Sequence, residues 1–383
     1  MNGTWWKAYS ELDPAQKEFV GLPVDGKYLI TGPPGCGKTN LLLLRAKHTT
    51  NSKLYNVLFI TYAKSLADFI RTGVGSYFDS KQVMTYWSWA RSHIQTYYPA
   101  GLAEYGNLLV LRDDDEKRRR LTALLQLAYE AAPSHTLYDA IFIDEAQDLS
   151  EPEIAHISRL SPRITIAGDN RQGLYSQNGL TSDGFTPIAI TSHYRIGRRI
   201  CEVADKLLPP KEGDPFLLDN CRYREDLNKS DAQPNECPDV ASQYFAIIER
   251  LSSQLRVFPN EMLGVFFPKK EMLLDFRTYV QDTELRDMIA FHDLDESAHS
   301  FGSNKMIHAL TIHSSKGVEF RAVHIARGEE LKFPLHKREV IFTAVTRAKT
   351  SVTLHYTGKI IAPIMSAFAR PTISNPEDLF DEL

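Results

Sequence analysis

The stretch from Gly32 to Thr39 has the residue types and spacing that hold the phosphates of a nucleotide. It reads GPPGCGKT, which matches G-x-x-x-x-G-K-[ST] in full, and it follows a predicted strand and opens a predicted helix. Backbone N–H groups of such a loop point at phosphate oxygens, Lys38 neutralises the β- and γ-phosphates, and the Thr39 hydroxyl is a ligand for Mg²⁺. The predicted nucleotide-binding loop consists of Gly32, Pro33, Pro34, Gly35, Cys36, Gly37, Lys38, Thr39 and Asn40.

Two neighbouring carboxylates follow a second apolar run. Residues 141–148 read IFIDEAQD, which predicts a buried strand with Asp144 and Glu145 at its end. Asp144 is placed to coordinate the metal ion together with Thr39. Glu145 is placed to orient and activate the attacking water. A small-molecule kinase needs no such second acid, because its nucleophile is a hydroxyl group of the substrate. The pair therefore favours hydrolysis.

Two arginines in the second half of the chain provide the complementary charge. Arg195 and Arg347 lie far from the phosphate loop in sequence. If both reach the γ-phosphate across a cleft, the nucleotide draws two domains together and hydrolysis releases them. Arginine supplied in this way also stabilises the transition state of phosphoryl transfer. A lone arginine is more often part of a surface salt bridge, but V-T-R-A directly after a predicted helix favours the functional role for Arg347.

These groups have to be positioned by a sheet with helices around it. Apolar runs that predict strands alternate with helical patterns such as residues 40–48 and 115–132, which indicates α/β architecture with parallel sheets. Residues 209–239 are rich in Pro, Asp and Asn and are predicted to form a surface excursion of the second domain. The predicted strands are residues 28–31, 57–62, 140–145 and 164–169 in the first half, and 263–270, 308–315, 322–328 and 351–356 in the second.

Composition limits the class of protein. The 383 residues include 44 Lys and Arg against 48 Asp and Glu, for a formal charge of −4, so the chain is not a uniformly basic nucleic-acid coat. No signal peptide or membrane-spanning run is evident, which favours a cytoplasmic protein. Four cysteines are too few for a disulfide framework. Cys221 and Cys237 are the only loosely paired ones, no histidine cluster joins them, and buried thiols are expected rather than a zinc site.

The motifs taken together resemble the UvrD/Rep branch of superfamily 1 DNA helicases. The resemblance begins with DEAQD and AGDNRQGLYS, the latter at residues 167–176, and extends in the family's order over nearly the whole chain. It implies two RecA-like parallel-sheet P-loop NTPase domains that use ATP and Mg²⁺. The further segments that carry it are LDPAQKEFV (12–20), VLFITYAKSLADFIR (57–71), VMTYWSWARS (83–92), TSHYRIGRRI (191–200), LTIHSSKGVEF (310–320) and IFTAVTRAK (341–349).

The resemblance also implies a role for individual residues. Gln16 would read the adenine edge, Tyr194 would stack on adenine and Glu319 would contact the ribose. Catalytic roles fall to Lys38, Asp144, Glu145, Gln172, Arg195 and Arg347. The implied contacts to DNA are Thr61, Tyr62, Thr85, Trp87, Ser88, Tyr175 and His313, where Trp87 and the nearby Trp89 are equally compatible with packing into a core.

The resemblance predicts a compact member of the family. We expect a first motor domain over residues 1–190, with a small helical insertion at about 93–139, a second over 191–370 and an acidic tail over 371–383. Residues 271–308 are too few for the family's second accessory domain. Two further departures are Gln177, near the place of a second aromatic residue, and the basic HKRE at 336–339 where the family has acidic residues.

Two functions remain open at the level of sequence. The first is an ATP-dependent translocase or helicase that moves 3′→5′ on single-stranded or tailed DNA. The second is an ATP-gated switch that grips DNA or a protein partner, as one part of a repair or antiviral defence system. The sequence leaves open whether the track is DNA or RNA, and whether a partner such as a nuclease is required.

Overall fold

Two parallel sheets, each with six strands and flanking helices, form the protein, which confirms the expected α/β class with two RecA-like domains. We refer to the two sheets with their helices as the first and second lobes. The strands predicted in the first half match the observed bounds to within two residues, whereas those predicted in the second half differ from them by up to four residues. The structure, a computed structural model, describes residues 6–75, 77–132, 136–169, 184–292, 294, 301, 305–332 and 334–370.

The first sheet brings the phosphate loop and the acidic strand to one edge. Its order is β3-β2-β4-β5-β1-β6, so that β5 separates the loop-bearing β1 from the acid-bearing β4. All of its pairings are parallel, and the carboxyl ends of the strands therefore meet at one edge, where ligands bind. The strands are β1 (Lys27–Thr31), β2 (Val57–Thr61), β3 (Val83–Thr85), β4 (Ala140–Ile143), β5 (Ile164–Gly168) and β6 (Thr186–Ala189).

Helices of the first lobe cover both faces of this sheet. In the second of them, buried Leu41, Leu42 and Leu43 form part of the core. The third has an apolar face that includes Leu66 and Ile70. The helices are α1 (Pro14–Gly21), α2 (Lys38–Asn51), α3 (Lys64–Val74), α4 (Tyr86–Tyr97), α5 (Leu102–Leu109), α6 (Asp114–Ala131) and α7 (Glu151–Ile157).

The predicted insertion at 93–139 contains the end of α4, all of α5 and all of α6. These helices share one apolar cluster with the first sheet, in which Trp89, Leu121 and Leu125 are almost completely buried. Asp113 caps α6, since its carboxylate accepts a hydrogen bond from the N–H of Glu116. The insertion is therefore an integral part of the first lobe.

The second sheet has the order β7-β12-β11-β8-β10-β9 and is also parallel throughout. In the described part of the chain, no helix combines the length and apolar character needed to cross a membrane. The strands are β7 (Asp231–Cys237), β8 (Leu263–Phe267), β9 (Ile289–Phe291), β10 (Ile307–Thr311), β11 (Phe320–Ile325) and β12 (Ala348–Thr357). The helices are α8 (Arg198–Leu207), α9 (Val240–Val257), α10 (Lys270–Val280), α11 (Arg338–Val345) and α12 (Ala362–Phe368).

Strand β7 corrects the expectation for residues 209–239. The segment was expected to be a surface excursion, but its last part is an edge strand that pairs with β12 over seven residues. Only Ala232 and Cys237 of β7 are buried, so the strand lacks the apolar pattern of a central strand. Pro234 is compatible with this position, because an edge strand can leave one side of its backbone without sheet partners.

The cysteines agree only partly with expectation. All four are buried and free, as predicted. Cys221, which is close to Cys237 in sequence, lies instead beside Cys201 and His193, with their ligand atoms within 4.8 Å of one another. Both thiols donate to the carbonyl oxygen of Ile196, and His193 Nε2 lies 2.9 Å from the carbonyl oxygen of Leu217. In their protonated forms these groups have backbone partners, and the cluster fixes the chain on both sides of Arg195.

Candidate functional site

The phosphate loop connects β1 to α2 and depends on glycine. A Cβ atom at Gly32 would lie 2.5 Å from the carbonyl oxygen of Ile190, and Gly35 and Gly37 have φ angles of +81° and +89°. The Lys38 ammonium donates to the carbonyl oxygens of Gly32, at 2.7 Å, and Pro33, at 3.1 Å. Two carbonyl oxygens of the loop thus hold the Lys38 ammonium group at the phosphate site.

The predicted metal ligands are in direct contact. Thr39 Oγ1 donates to Asp144 Oδ2 at 2.6 Å, although the two residues are 105 positions apart. The other oxygen of Asp144 accepts from the backbone N–H of Glu145 at 3.0 Å. A hydroxyl and a carboxylate side by side form the hard oxygen donor set that Mg²⁺ prefers. The geometry therefore fits the expected metal ion.

Glu145 is held in an unusual backbone conformation. Its φ of +50° is in the left-handed region, which a residue with a side chain seldom adopts and which is found at functional sites. Gln147 donates to its carboxylate, and the same Gln147 accepts from the N–H of Asp169 at 3.0 Å. Gln147 therefore connects Glu145 to the end of β5.

Burial and neighbouring charges affect the two acids in opposite directions. Burial, together with the nearby Glu145, raises the pKa of Asp144 to about 7. Burial also acts to raise the pKa of Glu145, but the cations Lys316, Arg347 and Lys38 outweigh it and lower that pKa. Glu145 is thus the carboxylate that remains charged, as a group that orients water requires.

Both arginines of the second half reach the same cleft. Residues that line it include Lys38, Glu145, Arg195 and Arg347. Burial, followed by the nearby Arg347, lowers the pKa of Arg195 to about 9. Arg195 forms an ion pair with Glu319, whereas Arg347 Nε donates to the carbonyl oxygen of Thr343 at 3.2 Å.

The residues assigned to adenine border an adjoining pocket. It is lined by Gln16, Asn40 and Tyr194, together with Glu319. Gln16 Nε2 donates to the carbonyl oxygen of Cys36 at 3.0 Å, and its amide oxygen accepts from the N–H of Asp13. The Tyr194 hydroxyl donates to Asp13 Oδ2 at 2.9 Å, and Tyr194 is 38% exposed.

The residues assigned to DNA differ in their exposure. Ser88 and His313 are exposed, and Tyr62, Thr85 and Trp87 are partly buried. Thr85 Oγ1 caps α4 by accepting from the N–H of Ser88 at 3.1 Å. Thr61 is fully buried with its hydroxyl enclosed, so its side chain is not available to a ligand in this conformation. Trp89 is a core residue.

Two of the predicted residues, Gln172 and Tyr175, lie outside the described residues, as does Gln177. The catalytic role of Gln172 and the DNA contact of Tyr175 therefore stay predictions.

Sequence reasoning missed the residues that join the lobes. The Lys316 ammonium pairs with Asp148, and both side chains are almost completely buried. Ser65 Oγ donates to the carbonyl oxygen of Ser314 at 2.9 Å. Asp148 lies in DEAQD and Lys316 in HSSKGVEF. The sequence did indicate this pair by residue type, because Asp148 is an acid without an assigned role in the first motif and Lys316 is a base without one in the second.

Comparison with known families gives two matches. Residues 306–355 match the model of the UvrD-like helicase C-terminal domain, and residues 16–178 match a model described as an AAA domain. No curated protein sequence matches the chain. A solved structure titled "The structure of PRRSV helicase" is 15% identical, with a TM-score of 0.43 over 89% of this chain and 54% of that one. The chain thus spans about half the length of that protein.

Proposed function

We propose that the chain, which belongs to the UvrD/Rep-like superfamily 1 helicases, hydrolyses ATP. We further propose that it uses the energy to move along single-stranded DNA in the 3′→5′ direction. One observation carries this proposal: Lys38 and Glu145 of the first lobe and Arg195 and Arg347 of the second line a single cleft. A nucleotide in that cleft would contact both lobes, so its hydrolysis would change how strongly they associate.

Each residue of the cleft would have a separate role in ATP hydrolysis. Lys38 and the loop N–H groups would bind the β- and γ-phosphates, and Glu145 would accept a proton from the attacking water. Arg195 and Arg347 would stabilise the charge that develops on the γ-phosphate. Thr39 and Asp144 would hold Mg²⁺, which supplies charge neutralisation to the phosphates when bound.

Arg195 must exchange partners when the nucleotide binds. Its guanidinium group is paired with Glu319, the residue assigned to the ribose hydroxyls. A triphosphate would offer the guanidinium a more highly charged partner and leave the Glu319 carboxylate to accept from the ribose. Nucleotide binding and the position of the arginine are thereby linked.

The track would pass over the strand ends of both lobes. Tyr62, Thr85, Trp87 and Ser88 of the first lobe and His313 of the second are the proposed contacts. Hydroxyl and imidazole groups would bind backbone phosphates, and aromatic rings would stack on bases without regard to sequence.

The test is the rate of ATP turnover with and without single-stranded DNA. We expect DNA to stimulate turnover, and Glu145→Gln to lower it about 10²–10⁴-fold while ATP binding persists, since the general base is lost. The matched control is Glu151→Gln, because Glu151 is exposed and lies only six residues further along. A rate of ATP turnover that is the same with and without DNA would contradict the proposal that the protein is a motor.

The second candidate is an ATP-gated switch that binds DNA or a partner, such as a nuclease, within a repair or defence system. The same cleft supports it, because a nucleotide that contacts both lobes would change how DNA or a partner is bound whether or not the chain moves. Displacement of a strand from a tailed duplex separates the candidates. Unwinding that requires a 3′ tail supports the helicase, and DNA binding that depends on ATP without displacement supports the switch.

A further inference from the structure

Arg118 occupies a position between the two proposed binding sites. It lies on α6, within the insertion, and its side chain is only 11% exposed. Its guanidinium group contacts three parts of the first lobe. Nη1 donates to Glu153 Oε2 at 2.8 Å, Nη2 donates to the carbonyl oxygen of Asp148 at 2.9 Å, and Cζ lies 5.3 Å from the centre of the Tyr62 ring.

One side of this contact set leads to the ATP site. Asp148 closes a short 3₁₀ turn, in which its N–H donates to the carbonyl oxygen of Glu145 at 2.9 Å. Its carboxylate meanwhile pairs with Lys316 of the second lobe. A change in the position of the Asp148 carbonyl would therefore act on Glu145 and on the contact between the lobes.

The other side leads to the proposed track. Tyr62 directly follows β2 and is partly exposed. A guanidinium group over an aromatic ring is an orientation-dependent contact, and removing water strengthens it. A strand that displaces the Tyr62 ring would change the surroundings of Arg118.

Charge balance makes Arg118 difficult to replace. Arg118 and Lys316 face Glu153 and Asp148, so the buried set is electrically neutral. The planar guanidinium donates to two acceptors from two of its nitrogens while it lies near a ring, a fixed geometry that the ammonium group of a lysine does not reproduce. At 11% exposure, Arg118 is also too enclosed to serve as a general DNA contact.

We propose that Arg118 is a positioning residue that couples a nucleic-acid strand at Tyr62 to the ATP site, through the Asp148 carbonyl and the turn that begins at Glu145. The inference rests on the proposed function. It assigns to the small insertion a role in linking the two sites, rather than only in completing the core of the first lobe.

The test compares ATP turnover with and without oligo-dT in Arg118→Met and Arg119→Met. Arg119 is the matched control, because it is the next residue of α6 and its side chain is 76% exposed. For Arg118→Met we expect unchanged basal turnover and oligo-dT affinity, but stimulation reduced about tenfold, within the usual range of coupling between sites. Arg119→Met should behave as the wild type does.

Glu153→Gln distinguishes coupling from a purely structural ion pair. It removes the charge of Glu153 but leaves the contacts of Arg118 to Asp148 and Tyr62, and stimulation should persist. Equal loss of stimulation in Glu153→Gln and Arg118→Met would show that the ion pair alone matters, and would overturn the proposal. If Arg118→Met does not fold, the charge-balanced double variant Arg118→Met/Glu153→Gln replaces it in the same comparison.

Three further results would count against coupling by Arg118. Full stimulation in Arg118→Met, or in the double variant, overturns the proposal. A fall in oligo-dT affinity that parallels the fall in stimulation makes Arg118 a binding residue instead. If oligo-dT does not stimulate ATP turnover of the wild-type protein, both the proposed function and this inference are refuted. If oligo-dT stimulates the wild-type protein and the Arg118 variant equally, only the inference is refuted.

Discussion

The carboxylate of Asp144 shows how far a single residue depends on its surroundings. The sequence identified it as a metal ligand, and the structure places it 2.6 Å from the Thr39 hydroxyl. Burial and the neighbouring Glu145 raise its pKa to about 7. A substantial part of the population therefore carries a proton on Asp144 near neutral pH, and a metal ion has to displace it.

We expect the affinity for Mg²⁺·ATP to increase between pH 6 and pH 8. The pKa of Asp144 is raised, so the carboxylate is protonated below about 7 and available to the metal above it. Titration with a fluorescent ATP analogue at pH 6, 7 and 8, with and without Mg²⁺, measures this.

The matched variant for this titration is Asp144→Asn. It should bind Mg²⁺·ATP weakly at every pH and should lose the increase. An affinity of the wild-type protein that is independent of pH, or an increase that survives in Asp144→Asn, would contradict the assignment.

At the scale of elements, apolar runs predicted the central strands well because those strands are buried on both faces. Strand β4, for example, is predicted at residues 140–145 and observed at Ala140–Ile143. Strand β7 was missed because an edge strand keeps polar residues and Pro234. The acidic and glycine motifs identified the phosphate-binding half of the site. The contact of Lys316 with Asp148 was indicated only by residue type, and the contacts of Arg118 could not be predicted, since they depend on how α6 packs.

Strands β11 and β12 contain a chain of buried histidines. His324 Nδ1 lies 3.0 Å from His355 Nε2, and His355 Nδ1 lies 3.1 Å from Asn235 Nδ2 on β7. Burial, with a smaller contribution from the cation Arg250, lowers the pKa of His324 to about 3. Burial, His324 and Arg250 lower that of His355 well below its ordinary value. Both histidines are therefore neutral in the folded protein.

Against the raised pKa of Asp144, which acts in the opposite direction, we expect the two histidines to lower the free energy of unfolding as the pH falls from 7.5 to 5. Both folded-state pKa values are depressed, so below about 6.5 the unfolded chain takes up protons that the folded chain does not bind. Each such histidine contributes a slope of up to about 1.4 kcal/mol per pH unit in this range. Urea unfolding at several pH values measures it.

Two variants make this assignment specific. His324→Gln should reduce the slope, because it removes one of the groups that take up protons on unfolding. His48→Gln should not, since His48 is exposed at the end of α2. A slope that is equal in both variants would show that other groups are responsible.

At the scale of the whole molecule, the lobes meet through a glycine. Gly317 has a φ of +79°, and a Cβ atom there would lie 2.5 Å from Leu66 Cδ2 of α3. Leu66 and Val318 belong to the same apolar cluster, so apolar side chains exclude water from part of the contact between the lobes. A side chain at position 317 would hold α3 and the second lobe apart.

We expect Gly317→Ala to reduce ATP turnover about tenfold or more, because a small displacement of groups across a cleft costs this much in catalysis. Gly358→Ala is the matched control. Gly358 has a similar φ of +71° with nothing within 4 Å, so it carries the same backbone strain without the clash. Similar turnover in the two variants would mean that close approach at Gly317 is not required.

Asp13 connects the start of α1 to the second half of the chain. One of its carboxylate oxygens accepts from the N–H of Gln16 at 2.8 Å, and the other accepts from the Tyr194 hydroxyl. The Asp13 carboxylate thus holds the backbone of Gln16 and the side chain of Tyr194, the two residues assigned to the base. Separation of the lobes would break the second contact and loosen the first turn of α1. The Tyr194 ring would then be held at the base site in the closed molecule alone, and an open one would bind a purine ring less tightly.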